Sequence, residues 1–196
     1  MAQRKYFDST MILETAFIIT QESGWQNVTA RTIAKRLGSS TMPIYSEMKS
    51  MQDIEKAVQE KAQELLKSYQ TGTYTDNSLL NLAVGYVVFS MEEPRLFHFL
   101  FMDRNDARTP ENGADGETRY RQNMGTARGI DELMAQIPAS DQDSFILESW
   151  IFTHGLASLL SGGVLSLSRQ QIIGLLDDAG GAFYTWHLKQ REKIDE

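Results

Sequence analysis

Several residue types are scarce or missing here, and each absence closes off a chemistry. There is no cysteine, and there are only three histidines and four prolines in 196 residues. Without cysteine no disulfide, thiol nucleophile or cysteine-ligated metal is possible, which fits a reducing, cytoplasmic setting. His98, His154 and His187 form no His-x-x-x-His or Glu-x-x-His pair, so a metal centre in a helical core has no ligand spacing to stand on. Neither a Gly-x-Ser-x-Gly elbow nor a phosphate-cradling glycine loop occurs, and Gly162-Gly163 reads as a turn. The expectation is a non-enzyme without cofactor or metal. No apolar run approaches the roughly 20 residues needed to cross a bilayer, and the start lacks the basic-then-apolar plan of a signal peptide, so no membrane partner is expected.

What is present is helical. Hydrophobic residues make up 41% of the chain, enough for a core, and they recur at three- and four-residue spacing through most of its length. The most informative stretch runs from Thr29 to Met48. Thr29 is suited to cap a short helix in which Ile33, Ala34 and Leu37 share a face, and Gly38 supplies the left-handed turn that ends it. Ser39 or Ser40 is placed to cap a second helix, with Pro43 in its first turn and Ile44 and Met48 directed inward. Two short helices joined by so tight a turn make a helix-turn-helix. The second helix would offer Ser40, Thr41, Met42 and Tyr45 to base edges, and the first would offer Arg31, Lys35 and Arg36 to phosphates. Charge is distributed accordingly. Residues 1–49 carry Arg4, Lys5, Arg31, Lys35, Arg36 and Lys49 against Asp8, Glu14, Glu22 and Glu47, a balance of +2, while the remainder holds 13 basic and 22 acidic residues, a balance of −9.

The order Thr29, Ile33-Ala34, Gly38, Pro43-Ile44-Tyr45 resembles the DNA-binding domain of the tetracycline-repressor (TetR) family of bacterial regulators, over about Thr10 to Ala62. The resemblance implies a DNA role for Thr29, Arg31, Ser39, Ser40, Thr41, Met42, Pro43 and Tyr45. Ser39 stands where the family pattern favours valine, Met48 where it favours phenylalanine and Met51 where it favours a phosphate-contacting lysine, a position for which Lys49 is the available substitute. Glu47 adds negative charge beside the expected DNA backbone.

Around this unit, the periodicity predicts a helix over 8–23 with an apolar stripe at Ile12, Leu13, Ala16, Phe17 and Ile19. Trp25 and Val28 are expected to pack under the helix-turn-helix. A long amphipathic helix over 51–69 follows, as the link to the rest of the chain. Beyond the polar residues 70–77, Ser78 is placed to cap a helix to about residue 92, and Pro94 opens a short apolar one. Residues 104–117 read as a polar connection, 118–136 as a helix closed by Pro138, 141–160 as a helix apolar nearly all round, and the last helix opens at Ser168 with Gln171 completing a capping box. Gly155, Ala157, Ser158, Gly174, Gly180 and Gly181 predict close helix-to-helix approach in a homodimer across a two-fold axis. The predicted fold is all-α, with an N-terminal three-helix helix-turn-helix domain (1–50) followed by a helical-bundle ligand-binding and dimerisation domain (51–196).

The second region contains Phe89-Ser-Met-Glu-Glu-Pro94 and Trp150-Ile-Phe-Thr-His-Gly, which is similar to the TetR-type ligand-binding domain marked by W-x-x-x-H-G. Tyr86, Phe89, Phe97, Phe101, Tyr120, Met124, Trp150 and Phe152 are candidates to line an effector cavity, with plain core packing the favoured reading for any one of them. His154 is read first as a buried histidine hydrogen-bonded to backbone and is carried as a ligand candidate beside them. The resulting expectation is a dimeric regulator on a palindromic operator, a repressor released by a small-molecule effector. The alternative is a helical small-molecule-binding protein or adaptor that has lost specific DNA binding.

Overall fold

The computed structural model describes residues 8–103 and 129–194, and the secondary structure among them is helical throughout. The helices are α1 (Ser9–Ser23), α2 (Ala30–Leu37), α3 (Met42–Glu47), α4 (Met51–Gln70), α5 (Ser78–Glu92), α6 (Pro94–Phe101), α7 (Ile130–Met134), α8 (Gln142–Ser161) and α9 (Arg169–Ile194), with a 3-10 turn at Trp25–Asn27. The chain forms two compact units, one from the described residues of 1–65 and 95–107, the other from those of 66–94 and 108–196. In sequence α6 lies next to α5, but it belongs to the unit that contains the helix-turn-helix.

In the first unit the carboxylate of Asp8 caps α1 by accepting from the Met11 amide at 2.8 Å. Ile12, Ala16 and Ile19 bury the inner stripe of α1, which packs on α2 and α3. Gly24 closes the helix at φ +88°, a conformation that L side chains rarely adopt. Ile33, Ile44, Ile54 and Val58 are buried to within 1% of complete, one or two from each of α2, α3 and α4. Fully burying one such side chain contributes roughly 1.5–3 kcal/mol, so these four are the principal anchors of the small helices. The Trp25 ring stacks on Phe99 of α6 at 5.2 Å. Trp25 thus finds its partner on a helix distant in sequence. On the solvent side the Lys61 ammonium pairs with Glu14 and sits 4.7 Å above the Phe17 ring, tying α4 to α1.

The second unit is built around α5, whose residues 81–90 are all buried. Helices α8 and α9 pack against α5 and against each other. Asn77, not Ser78, caps α5, because its Oδ1 accepts from both the Leu79 and the Leu80 amides (3.0 and 3.2 Å). Asn81 is buried with its amide satisfied: Oδ1 accepts from the Thr75 amide and Nδ2 donates to the Thr75 carbonyl, which pins the α4–α5 loop to the helix. The Ser90 hydroxyl contacts both the Val87 and the Ala157 carbonyls and bridges α5 to α8. Gly85 is required by sterics, since a Cβ there would lie 2.2 Å from the Tyr69 carbonyl oxygen and 2.6 Å from Gln70 Cα. The end of α4 crosses α5 at that glycine.

The described part of the expected 118–136 helix is α7, which ends at Met134, and a turn leads on to Pro138. The capping box of α9 forms as expected, Ser168 N–H donating to Gln171 Oε1 and Gln171 N–H to Ser168 Oγ. Helix α8 was expected to be buried on several sides. Within one chain it is not: Leu147, Ile151 and Leu159 are exposed along one stripe, as are Leu175 and Trp186 on α9.

Candidate functional site

The helix-turn-helix is shaped by local chemistry. Thr29 adopts an extended backbone and its hydroxyl accepts from the Thr32 amide at 3.1 Å, while the Thr29 amide donates to Thr32 Oγ1 at 2.8 Å. This reciprocal box, rather than a free hydroxyl, is how Thr29 serves α2. Gly38 takes the left-handed conformation (φ 65°, ψ 39°), and the Ser39 amide returns to the Ala34 carbonyl at 2.9 Å. The expected cap of α3 differs. Thr41 is the N-cap, neither it nor Ser39 or Ser40 supplies a capping side chain, and Ser39 Oγ donates instead to the Ser40 carbonyl.

Six residues long, α3 has room for one anchor. Ile44 is 1% exposed and holds the helix to the unit. Turned away from it, Met42 is 72% exposed and Tyr45 62%, with Ser40 also exposed and Pro43 half-buried in the first turn. Met48 has left the helix as its extended C-cap and is only half-buried, so the inward role expected of it is partial. Arg31, Lys35 and Lys49 are exposed. Arg36 is committed elsewhere: its guanidinium forks onto Glu22 of α1, with Nη1 to Oε2 at 2.5 Å and Nη2 to Oε1 at 2.8 Å. That bond holds the Glu22 carboxyl below the usual carboxylate range and raises Arg36 further. Of the three cations expected at phosphates, Arg31 and Lys35 make no ion pair among the described residues.

The described candidates for an effector cavity are divided between the two units. Phe97 and Phe101 belong to the first unit, ring against ring at 5.2 Å. In the second unit Phe89 is completely buried against the edge of Tyr69. The Tyr69 hydroxyl donates to Glu92 at 3.0 Å, and burial, followed by that bond, pushes its phenol up to about 12. Tyr86 and His154 share a hydrogen bond of 2.9 Å between the hydroxyl and Nδ1, and Trp150 stacks on the His154 ring at 5.2 Å. This hydrogen bond of His154 is to a side chain. Burial lowers its pKa and favours the neutral ring. The indole Nε1 of Trp150 is buried with no hydrogen-bond partner among the described residues. Tyr120 and Met124 lie outside the described residues.

A cavity of about 220 Å³ opens between α8, the start of α5, α7 and α9. Among the described residues of the expected set, Phe152 alone lines it. Leu79 and Ala83 of α5, Phe145, Ser149 and Thr153 of α8, and Leu176, Asp177, Gly180 and Tyr184 of α9 are among its walls. Phe145, Ser149 and Thr153 recur every fourth residue on α8, a pattern visible in the sequence, but nothing local says which helix they face. Among the described residues no cluster of His, Asp and Glu is placed to hold a metal, and no helix is long and apolar enough to cross a membrane.

The arrangement, a three-helix head with a helix-turn-helix and a bundle centred on one buried helix, is shared with known proteins. A structure of a TetR-like transcriptional regulator from Rhodococcus sp. RHA1 superposes with a TM-score of 0.54 over 91% of this chain and 96% of that one, at 12% identity. A protein of unknown function from the same organism gives 0.68 over 95% and 100%, at 18% identity. An uncharacterised HTH-type transcriptional regulator from Mycobacterium tuberculosis is 23% identical over 160 residues, 79% of this chain and 70% of that protein. No family model matches the chain. The fold is the all-α TetR-like fold.

Proposed function

We propose that the protein is a TetR-like transcriptional regulator that binds duplex DNA as a homodimer, with residues 1–50 as the DNA-reading head and 51–196 as the ligand-binding and dimerisation region. The observation that carries this reading is α3: a short helix anchored by Ile44 alone that presents Met42 and Tyr45, large side chains with apolar surface, to solvent. A helix that served only the core would turn such residues inward, whereas a major-groove reader needs them outward. The names of the sequence relative and of the TetR-like neighbour support the same role.

The stripe left uncovered on α8 and α9 supports dimerisation. Leu147, Ile151 and Leu159 flank Gly155, and Leu175 and Trp186 stand on the neighbouring helix. A Cβ on Gly155 or Gly174 would meet nothing within 4 Å in the single chain, so both positions leave room for a second helix. Two heads on one dimer would read half-sites about 34–36 Å apart, that is, a palindrome. Repression relieved by a small molecule is the mode we assign, with the effector shifting the bundle between two packings and α4 carrying the change to the head.

The test is selection of duplex fragments by the purified protein, with the salt dependence of the best fragment recorded. An enriched palindrome whose affinity falls steeply with salt supports the regulator. If no sequence is enriched and binding stays weak at low salt, the exposed Glu47 and the engagement of Arg36 by Glu22 favour the second reading, a helical ligand-binding protein without DNA specificity.

A further inference from the structure

We propose that the cavity between α5, α8 and α9 is a site for a small organic cation, a single ring or its aliphatic equivalent on a short arm that ends in an ammonium. Its role as an effector site rests on the regulator reading above.

Size sets the first limit. About 220 Å³ lies below the roughly 300–1,000 Å³ of sites for drug-sized ligands, and exceeds the roughly 150 Å³ in which an apolar cavity already holds one benzene ring. The walls set the second. Leu79, Ala83, Phe145, Phe152, Leu176 and Phe183 give an apolar interior, and among the described residues no lysine, arginine or histidine contributes to it.

The wall holds donors in the Asn77 amide and the Ser149 hydroxyl, acceptor capacity in Thr153 and Tyr184, and one charged group, Asp177. Thr153 is 3% exposed, and its hydroxyl hydrogen is already given to the Ser149 carbonyl at 2.8 Å, which leaves the oxygen lone pairs. The Tyr184 hydroxyl donates to Gln136 Oε1 at 2.8 Å and likewise retains acceptor capacity. Asp177 forms no ion pair among the described residues, and a carboxylate only accepts. An ammonium brings three donors for the oxygens of Thr153 and Tyr184, and its charge complements Asp177. A carboxylate ligand would meet the negative charge of Asp177 with no cation among the described residues to receive it.

Gly180 provides a way to close the site. It lines the cavity, and a Cβ built on it meets nothing within 4 Å, so a side chain there starts in open space and Gly180→Leu adds bulk beside the cavity while removing a helix-weakening glycine. The experiment is calorimetric titration of the full-length protein, without DNA, with 2-phenylethylamine, 2-phenylethanol and 3-phenylpropanoate. The amine is expected to bind at least about fivefold tighter than the alcohol, the advantage of a solvent-accessible charge pair, with the carboxylate weakest. Gly180→Leu is expected to weaken the amine by at least about tenfold while melting no lower than the wild type. Asp177→Asn should bring the amine down to the level of the alcohol. Equal binding of the carboxylate, amine binding indifferent to Gly180→Leu, or no binding of any probe at millimolar concentration would overturn the site. A protein that binds the amine but whose selected duplex is not released by it keeps the cation site and loses the effector role.

Discussion

The engagement of Arg36 by Glu22 yields a measurable division among the cations of the head. Arg31 is exposed and carries no ion pair among the described residues, whereas both terminal nitrogens of Arg36 are held by Glu22. If the head binds duplex DNA as proposed, Arg31 is free to neutralise a phosphate and Arg36 is not. Each phosphate contact contributes about 0.9 to the slope of log affinity against log salt, so Arg31→Ala in both subunits of a dimer should flatten it by about 1.8. Between 50 and 200 mM salt this makes the variant lose about 12-fold less affinity than the wild type does. Arg36→Ala should leave the slope where it was. The assay is fluorescence anisotropy of a labelled operator fragment at four or five salt concentrations, with circular dichroism to verify folding. A flattened slope for Arg36→Ala with an unchanged slope for Arg31→Ala would refute the reasoning, because it would show that the Glu22 fork opens on DNA and that Arg31 lies off the phosphate path.

Other consequences can be checked on the protein alone. Gly85→Ala places a methyl 2.2 Å from the Tyr69 carbonyl, backbone that cannot rotate aside; a loss of about 3 kcal/mol, or a melting point lower by about 6–12 °C, is expected, and a change within about 0.5 kcal/mol would show that α4 and α5 do not cross so closely. Because burial lowers the pKa of His154 below its ordinary 6.5, the unfolded chain takes up a proton there before the folded one does. Stability is therefore full above about pH 6.5 and declines below it, and the His154→Gln protein should show a shallower fall in melting temperature between pH 7.5 and 5.5; parallel curves would remove His154 from the acid response. Ile151, 56% exposed in one chain, becomes central if α8 pairs with its copy, so Ile151→Lys should weaken the dimer by at least about tenfold in sedimentation while barely changing the stability of the subunit; an unchanged dimer would place the interface elsewhere.

The parts of this structure legible in the sequence are those decided within four or five residues of one another. Thr29, Gly38, Pro43 and Ile44 define two short helices because a cap, a left-handed glycine and a first-turn proline act on the backbone next to them. The Ser168–Gln171 box is of the same kind. Where two neighbours compete locally, the reading slips by a residue: Asn77 takes the cap from Ser78 because one side-chain oxygen on Asn77 reaches two amides at once. Contacts between distant segments were not legible. Glu22 and Arg36 are 14 residues apart, and Trp25 stacks on Phe99 across most of a hundred residues of chain, so neither partner shows in the other's surroundings.

The glycines make the point most sharply, since a small residue announces that something is close without naming it. Gly155, Gly174, Gly180 and Gly181 were read as sites of close helix approach, yet inside one chain a Cβ on any of them meets nothing within 4 Å. Gly85, which drew no notice in the sequence, carries the tightest crossing of the second unit. On α5 every residue from 81 to 90 is buried, so no amphipathic contrast marks the face that α4 crosses. The open glycines then divide by position: Gly180 and Gly181 border the cavity, whereas Gly155 lies in the exposed stripe of α8 with Ile151 and Leu159. A helix that gives up about 1 kcal/mol of propensity at each interior glycine gains no packing from it among the described residues. On the proposals above, the gain comes from a ligand at Gly180 and Gly181 and from a second subunit at Gly155, and those two occupants are the ones the cation titration and the Ile151→Lys sedimentation separately address.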